Sequence, residues 1–376
     1  MKWEKWPQYN SEHEKEVVNV IKSNQIYAAN QVKKFEQEFS KYNNIEHAIG
    51  VGNATQGLHL ALAAMDIGAG DEVIVTTYSW ISTASCILMQ NAIPIFADIE
   101  SQSFGISAKE VERKITKRTK AVILVHMFGL PAEVEKITKI CKKNNIKLIE
   151  DASHAHGLII NGKKAGTYGD IGVYSLHQRK ALSVGDGGIV VTHHDYYADK
   201  IKKLRSFGHE ELSYNYRMTE FGGALGIIGL RYLEEQNNIR LNNHLYLKKL
   251  LDSATIEVRS GREKSVYYSN LIIINNGKKI KDNDYIVKEL NKIGLPIKRT
   301  WSPLHKHYHF KSKTKSARGI PWQKPFTNIN YPENEKLKLV VAELYCENLL
   351  YELDCHPFVS KSNIELAVEM IRKNFK

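Results

Sequence analysis

Short apolar runs bounded by turn residues alternate, through the first 240 residues, with longer stretches whose apolar positions recur at helical spacing. EVIVTT from Glu72, IPIFAD from Ile93, AVILVH from Ala121, KLIED from Lys147, IGVYSL from Ile171 and GGIVVT from Gly187 read as strands. Each is nearly continuous in apolar character, as a strand covered on both faces must be. Between them the pattern predicts helices near 55–66, 79–91, 132–144 and 195–205. Alternation of strand and helix implies an α/β fold with a mainly parallel sheet flanked by helices. Beyond residue 240 the pattern changes to long polar helices with a few strands, such as NLIIIN from Asn270, and a last amphipathic helix from Asn363 to Lys373. We therefore expect a large domain over 1–240 and a smaller C-terminal α+β domain over 241–376, with an N-terminal helix near 11–22 packing beside the smaller one.

The length supports that division, since 376 residues exceed the ~250–300 at which one core stops growing. A hydrophobic fraction of 43% and a charged fraction of 25% are ordinary for a globular protein. No apolar stretch approaches the ~18 residues of a membrane helix. The opening MKWEKWPQYNSEHEKE carries charge from its second residue and no apolar core of a signal peptide, so a soluble, cytoplasmic protein with no membrane partner is expected. Cys86, Cys141, Cys346 and Cys355 stand far apart and read as free thiols. The formal charge is +12, and the excess is concentrated between Asn291 and Pro332, where no acid occurs and Lys298, Lys306 and Arg318 are among the basic residues. That tract reads either as a solvated loop or as a grip on an anionic substrate. No helix-turn-helix or aromatic-interleaved basic motif accompanies it, so no nucleic-acid partner is expected.

Three segments carry candidate chemistry. GNATQG, at 52–57, opens a helix, where backbone N–H groups can hold a phosphate or where a Thr simply caps a turn. KLIEDASHAHG, at 147–157, ends a strand on Glu150 and Asp151, and ligands of open α/β sheets gather at such carboxyl ends. Asp151, His154 and His156 are all metal-ligand types, yet nothing nearby completes a shell, so no metal is expected. In GDIGVYSLHQRKALSVGDGG, at 169–188, Lys180 lies between two strands beside Arg179 and near Gly185, Gly187 and Gly188. A cationic neighbour and burial both lower a lysine's pKa and free the amine for imine chemistry.

In order along the chain, VKKFEQEFSKYNNIEHAIGVGNATQGLHLAL, GAGDEVIVTTYSW, PIFADIE, TKAVILVHMFGLP, IEDASHAHG, GDIGVYSLHQRK, GDGG, NYRMTEFGGALG and the late PLH and HPF make a set. It resembles the DegT/DnrJ/EryC1/StrS sugar aminotransferases, which have the fold-type I architecture of enzymes dependent on pyridoxal 5'-phosphate. The resemblance implies that Lys180 is the Schiff-base lysine and proton carrier, Asp151 the partner of the pyridine nitrogen, and His154 the partner of the phenolic oxygen. It makes Trp80 the aromatic on the ring face, and Thr55, Gln56 and Ser175 phosphate contacts. Asn215 would be a phosphate contact given by the other subunit of a homodimer with shared sites. It implies a ping-pong transfer, with pyridoxamine 5'-phosphate as intermediate, from glutamate or glutamine to a keto-sugar, most simply a nucleotide-linked one in amino-sugar and surface-polysaccharide biosynthesis.

Two alternatives stay on the same scaffold: a sugar dehydratase or deoxygenase, in which a histidine replaces the lysine, and an aminotransferase acting on a cyclitol or small keto-phosphate. A non-catalytic regulator is a third. The basic tract adds His305, Trp301, Lys306 and Arg318 as candidate substrate contacts. The chain departs from the family pattern at Asn53-Ala54-Thr55, at Asp186, and at Phe221-Gly222-Gly223, where the glycines loosen a helix by roughly 1 kcal/mol each.

Overall fold

The computed structural model describes residues 2–207, 212–261, 265–277, 280–311 and 332–375. The apolar runs form β1 (His47–Val51), β2 (Glu72–Thr76), β3 (Ile93–Ala97), β4 (Thr119–Val125) and β5 (Lys147–Asp151). A short hairpin, β6 (Ile159–Ile160) and β7 (Lys163–Lys164), precedes β8 (Ile171–Ser175) and β9 (Gly188–Thr192). Seven of these make one sheet in the order β1-β9-β8-β5-β4-β2-β3. The pairings β5 with β8, β4 with β5, β2 with β4 and β2 with β3 are parallel, and β9 runs antiparallel to both β1 and β8.

The alternation of side chains along each strand feeds two cores. Val122, Leu124, Leu148 and Tyr174 face a layer made by α2 (Asn30–Asn43), α5 (Ala108–Lys114), α6 (Val134–Lys143) and part of α8 (Glu220–Leu251). Ile123, Ile149 and Val173 face the opposite layer of α3 (Ala54–Ala64), α4 (Ser82–Met89) and α7 (Asp195–Arg205). Both faces are covered, which is why the runs read as continuously apolar.

Helix α8 is 32 residues long and runs unbroken through residue 240. Gly223 has a packing reason. A Cβ on Gly223 would stand 2.6 Å from backbone atoms of Gln31 and Val32, so only glycine lets α2 lie this close. The start of α2 has no side-chain cap of its own. Instead the buried carboxylate of Glu220 accepts the N–H groups of Ala29, Gln31 and Val32 at 2.6, 2.7 and 3.1 Å, satisfying donors that a helix start otherwise leaves open.

After α8 a second sheet, order β10-β11-β13-β12, is antiparallel throughout: β10 (Ile256–Val258), β11 (Asn270–Ile274), β12 (Ile297–Arg299) and β13 (Leu350–Leu353). With α9 (Ile280–Lys292), α11 (Lys361–Asn374) and the end of α8 it encloses a third core around Leu247, Ile272, Leu353 and Ile371. The short α10 (Val340–Leu344) is tied to the end of β3, where Asp98 accepts the N–H groups of Val341 and Ala342 at 3.0 and 2.9 Å. The N-terminal α1 (Ser11–Ser23) lies on α8, with Tyr232 donating to Glu12 at 3.1 Å. All four cysteines are buried and unpaired. Among the described residues no helix is long and apolar enough to cross a membrane.

One glycine sets the geometry of the site. Gly188, at the start of β9, passes beneath the first turn of α3, and a Cβ there would stand 2.6 Å from Asn53 C and 2.7 Å from Ala54 N. Neither backbone atom has room to give. Gly188→Ala is expected to lower stability in denaturant unfolding by roughly 1–3 kcal/mol, the usual range for overpacking. An unchanged midpoint would show that α3 is free to move.

Candidate active site

A cavity of about 330 Å³ opens at the carboxyl ends of β4, β5 and β8, lined among others by Thr55, Trp80, Asp151, His154, Ser175 and Lys180. Its size and position suit a small ligand in an open α/β sheet. β5 supplies the acid. Glu150 and Asp151 are successive residues, so their side chains leave opposite faces of the strand. Glu150 is fully buried and accepts from His126 Nε2 at 3.0 Å and from the N–H groups of Gly166, Tyr168 and Gly169 at 2.8, 2.5 and 2.7 Å. Because His126 Nδ1 accepts from Ala132 N at 3.2 Å, its proton sits on Nε2, toward Glu150. Asp151 turns the other way, into the cavity. Thr83 of α4 donates to its Oδ2 at 2.8 Å, and Ser153 N to its Oδ1 at 3.1 Å.

Lys180 comes from the connection between β8 and β9, whose first turn is closed by its own N–H on His177 O at 2.8 Å. The residue keeps some solvent access, but its Nζ is enclosed by protein and lies 4.7 Å from the centroid of the Tyr268 ring. Burial lowers the amine's pKa from 10.5 to about 7; Asp151 opposes that shift, and Arg179 adds to it. Burial outweighs the charged neighbour that the sequence made visible.

His154 stacks on Tyr268, with centroids 4.3 Å apart and planes 7° apart. Its Nδ1 accepts from Phe128 N at 3.3 Å, so the ring's remaining N–H is Nε2. Burial, followed by the positive charges of Lys180 and its neighbours, holds its pKa well below the ordinary value and keeps the ring neutral. A neutral imidazole with one free N–H can donate to an oxygen without carrying charge. Trp80 stands at the mouth, 55% exposed, and meets Trp301 edge-on at 5.6 Å.

At the first turn of α3, Asn53 caps the helix by accepting Gln56 N at 3.0 Å, and Ala54 and Thr55 line the cavity. Thr55 Oγ1 donates to Ser82 Oγ at 2.8 Å, while Ser175 Oγ accepts His177 N at 3.3 Å at the end of β8. The helix N-terminus and two hydroxyls thus converge on one end of the cavity, an arrangement that favours an anion.

Not every expected residue reaches it. Gln56 does not line the cavity: its N–H is used in the Asn53 cap, and its buried Oε1 has no hydrogen-bond partner. Asn215 is exposed on a neighbouring segment, bridged to Ser206. His305 is fully buried, with Nδ1 2.6 Å from Thr77 Oγ1 and Nε2 3.3 Å from Glu343, so it docks its segment onto the end of β2 rather than facing the cavity. Lys306 Nζ lies 3.1 Å from Glu343 and 2.9 Å from Glu347. Of the four substrate candidates in the basic tract, Trp301 lines the cavity and Arg318 lies outside the described residues.

The tract without acids finds them elsewhere: Lys298 pairs with Glu352 at 2.9 Å and Arg299 with Asp284 at 3.1 Å. His156 faces Tyr174 at 5.5 Å, and among the described residues no group of three metal-ligating side chains could hold an ion. Thr83 and Tyr268 are among the site residues that sequence reasoning passed over. Thr83 had a faint signal, three residues beyond Trp80 at the opening of a helix; Tyr268 had none.

The fold and cavity define an α/β protein of fold-type I architecture, with an amine, a carboxylate and a helix N-terminus gathered at the carboxyl edge of its sheet. The model of the DegT/DnrJ/EryC1/StrS aminotransferase family matches residues 7–328, and the chain belongs to that family. It is 38% identical over 212 residues to a GDP-perosamine synthase of Vibrio cholerae, a match that covers 54% of this chain and 58% of that protein, less than two thirds of the relative's length. Over 318 residues it is 30% identical to L-glutamine:2-deoxy-scyllo-inosose aminotransferase of Streptomyces paromomycinus, covering 78% of this chain and 75% of that one. The X-ray structure of the aminotransferase from Psychrobacter cryohalolentis superposes with a TM-score of 0.88 at 25% identity, covering 99% of this chain and 98% of that one.

The lowered pKa has a consequence for stability. The amine's folded value of about 7 lies below its ordinary 10.5, so between these pH values the unfolded chain binds the extra proton and stability rises with pH. The penalty is whole below pH 7 and gone above 10.5. In the chain free of cofactor, Lys180→Met should therefore be more stable than wild type at pH 7 and lose that advantage above pH 10.5. Equal stability at neutral pH, read by chemical denaturation, would count against a buried amine.

Proposed function

We propose that this chain is an aminotransferase dependent on pyridoxal 5'-phosphate, which moves an amino group from glutamate or glutamine to a keto-sugar. The observation that carries the reading is the buried Lys180 amine, its pKa lowered to about 7, in one cavity with Asp151 and the start of α3. The donor set fits the cofactor. A neutral amine suits an aldehyde, a buried carboxylate suits a protonated pyridine nitrogen, and a helix N-terminus with hydroxyls suits a phosphate. Pyridoxal phosphate, when bound, supplies an aldehyde that condenses with amines and a ring that takes up the electron pair released at the neighbouring carbon.

Lys180 then serves as the proton carrier, because an amine with a pKa near neutrality takes and returns a proton at similar cost. Asp151, fixed by Thr83 and Ser153, keeps the ring nitrogen protonated. His154 donates from Nε2 to the phenolic oxygen, while Trp80 covers a ring face. Thr55, Ser175 and the first N–H groups of α3 hold the phosphate. Gln56 contributes from behind, through its place in the Asn53 cap.

We infer a homodimer that completes the phosphate site with Asn215 of the second copy. Exposed apolar side chains around that residue support it: Tyr27 is 64%, Phe207 50% and Leu212 97% accessible, with the Arg217 guanidinium over the Tyr27 and Phe207 rings. A cytoplasmic setting fits the substrates. For the acceptor we favour a nucleotide-linked keto-sugar in amino-sugar biosynthesis, on the likeness to the GDP-perosamine synthase. The likeness to the deoxy-scyllo-inosose enzyme supports a cyclitol ketone as the second reading.

Purified protein should take up pyridoxal phosphate, show its visible absorption, and aminate a nucleotide keto-sugar with glutamate or glutamine. Lys180→Ala should lose turnover by at least the roughly 10²–10⁴-fold that a positioned acid-base contributes. A wild type that never takes up the cofactor defeats the proposal; turnover on a cyclitol ketone alone moves the acceptor to the second reading.

The shared site has its own test. Lys180→Ala and Asn215→Lys should each be poorly active, and mixed, reassorted subunits should regain about a quarter of wild-type activity, since half the dimers then carry one intact site. No recovery on mixing would place Asn215 in its own chain's site or in none.

A further inference from the structure

The extended residues before α1 form a strap across the back of the Lys180 loop. Trp6 donates its indole N–H to the Lys180 carbonyl at 3.1 Å, and the Tyr9 hydroxyl lies 3.3 Å from Ser183 Oγ in the same loop. The other end of the strap is fastened to the segment after β13. Trp3 Nε1 donates to Asp354 O at 3.1 Å, and His356 Nε2 to Glu4 O at 2.9 Å. The Glu4 carboxylate accepts from Ser360 N and from Asn363 Nδ2 at 3.2 and 2.9 Å. The Trp6 ring itself is held from two sides: the Arg240 guanidinium of α8 stands 4.6 Å from it, and His356 and Phe358 each lie 5.9 Å from it.

We propose that Trp6 is a positioning residue for Lys180, locking the lysine's carbonyl to α8 and to the C-terminal segment so that the amine stays inside the cavity. Inside its loop Lys180 is held only through its own N–H on His177 O. Without the indole the backbone that carries the amine would lose one of its two hydrogen-bonded anchors. The indole N–H supplies that anchor, and its grip is inherited from Arg240 of α8 and from His356 in the segment after β13. The HPF motif, which the cavity does not use, finds its role here: His356 Nδ1 accepts Phe358 N at 3.3 Å, which fixes the proton on Nε2 for the bond to Glu4. Trp6 matters to the reaction only through Lys180, so its role rests on the function proposed above.

The groups that set the amine's proton affinity include Asp151 of β5, Arg179 and His177 of its own loop, Lys298 and Glu352 of the second sheet, and His154, His156 and Tyr268 nearby. None is touched by removing an indole nitrogen. Because burial is the largest cause of the lowering, releasing the loop should raise the amine's pKa.

The test is competitive labelling of the full chain, stripped of pyridoxal phosphate, with acetic anhydride across pH, with Lys180 modification read by mass spectrometry. Wild type should be half-labelled near the pKa of about 7. Trp6→Phe keeps the ring over Arg240 but removes the donor, and should move the Lys180 midpoint up by roughly 0.3–1 pH unit, twofold to tenfold in proton affinity, the scale of one hydrogen bond. Trp3→Phe removes the corresponding bond at the far end of the strap and should leave the Lys180 midpoint in place. If Trp6→Phe does not fold, Tyr9→Phe, which frees Ser183 in the same loop, should give a smaller shift in the same direction.

An unmoved midpoint in a folded Trp6→Phe overturns the proposal, as do equal shifts in the Trp3 and Trp6 variants, which would assign the effect to the strap as a whole. The labelling needs no cofactor. A wild type that never takes up pyridoxal phosphate therefore defeats the function proposed above while the labelling still decides what Trp6 does to Lys180.

Discussion

A lysine amine enclosed by protein either gives up its proton or raises the free energy of the fold. The site around Lys180 is built on that constraint. Burial drives the amine toward its neutral form, and Arg179 pushes the same way. Asp151 pulls back enough to keep the value near neutrality, where the group can both take and release a proton. A site with burial alone would hold a base that never protonates, and one with the carboxylate alone would hold an ammonium that never reacts. The fold supplies both by placing the loop after β8 across the carboxyl end of β5.

That placement depends on the two successive acids of β5 doing different work. Glu150 is spent entirely inside the protein, where four donors anchor it and thereby fix the approach to β8. Asp151 leaves the other face and is held by Thr83 and Ser153, with its carboxylate toward the cavity. A slip of one residue in the strand would exchange the two roles. The parallel register of β5 with β4 and β8 prevents it, because Leu148 and Ile149 must reach opposite cores.

Charge in the C-terminal part follows a different rule from the one its sequence suggests. Lys298, Arg299 and Lys306 stand in a stretch without acids, yet each meets a carboxylate from elsewhere: Glu352, Asp284, or Glu343 with Glu347. Carboxylates 15 to 54 residues away in sequence thus meet these three cations, so their charge is not left open to an anion. The glycines of α8 teach a similar lesson. They weaken a helix considered alone, and here Gly223 admits α2 to backbone contact, with Glu220 closing the start of that second helix.

The six buried strands, four of the helices between them and the pairing of a lysine with a carboxylate were legible in the sequence, because strand burial, helix periodicity and acid-base chemistry are properties of residue types in local order. Lys180 and Asp151 needed only their neighbours to become candidates. Other features are contacts between positions that no local pattern connects. Trp6 meets Lys180 across 174 residues, Thr83 meets Asp151 across 68, and Tyr268 comes from the second half of the chain to cover the amine. The neutral, Nε2-protonated state of His154 follows from Phe128 and from burial, and neither is written near residue 154. Local order sets which groups can react; enclosure by distant segments decides their protonation and aim, because desolvation and hydrogen bonding exist only once those segments have been brought together.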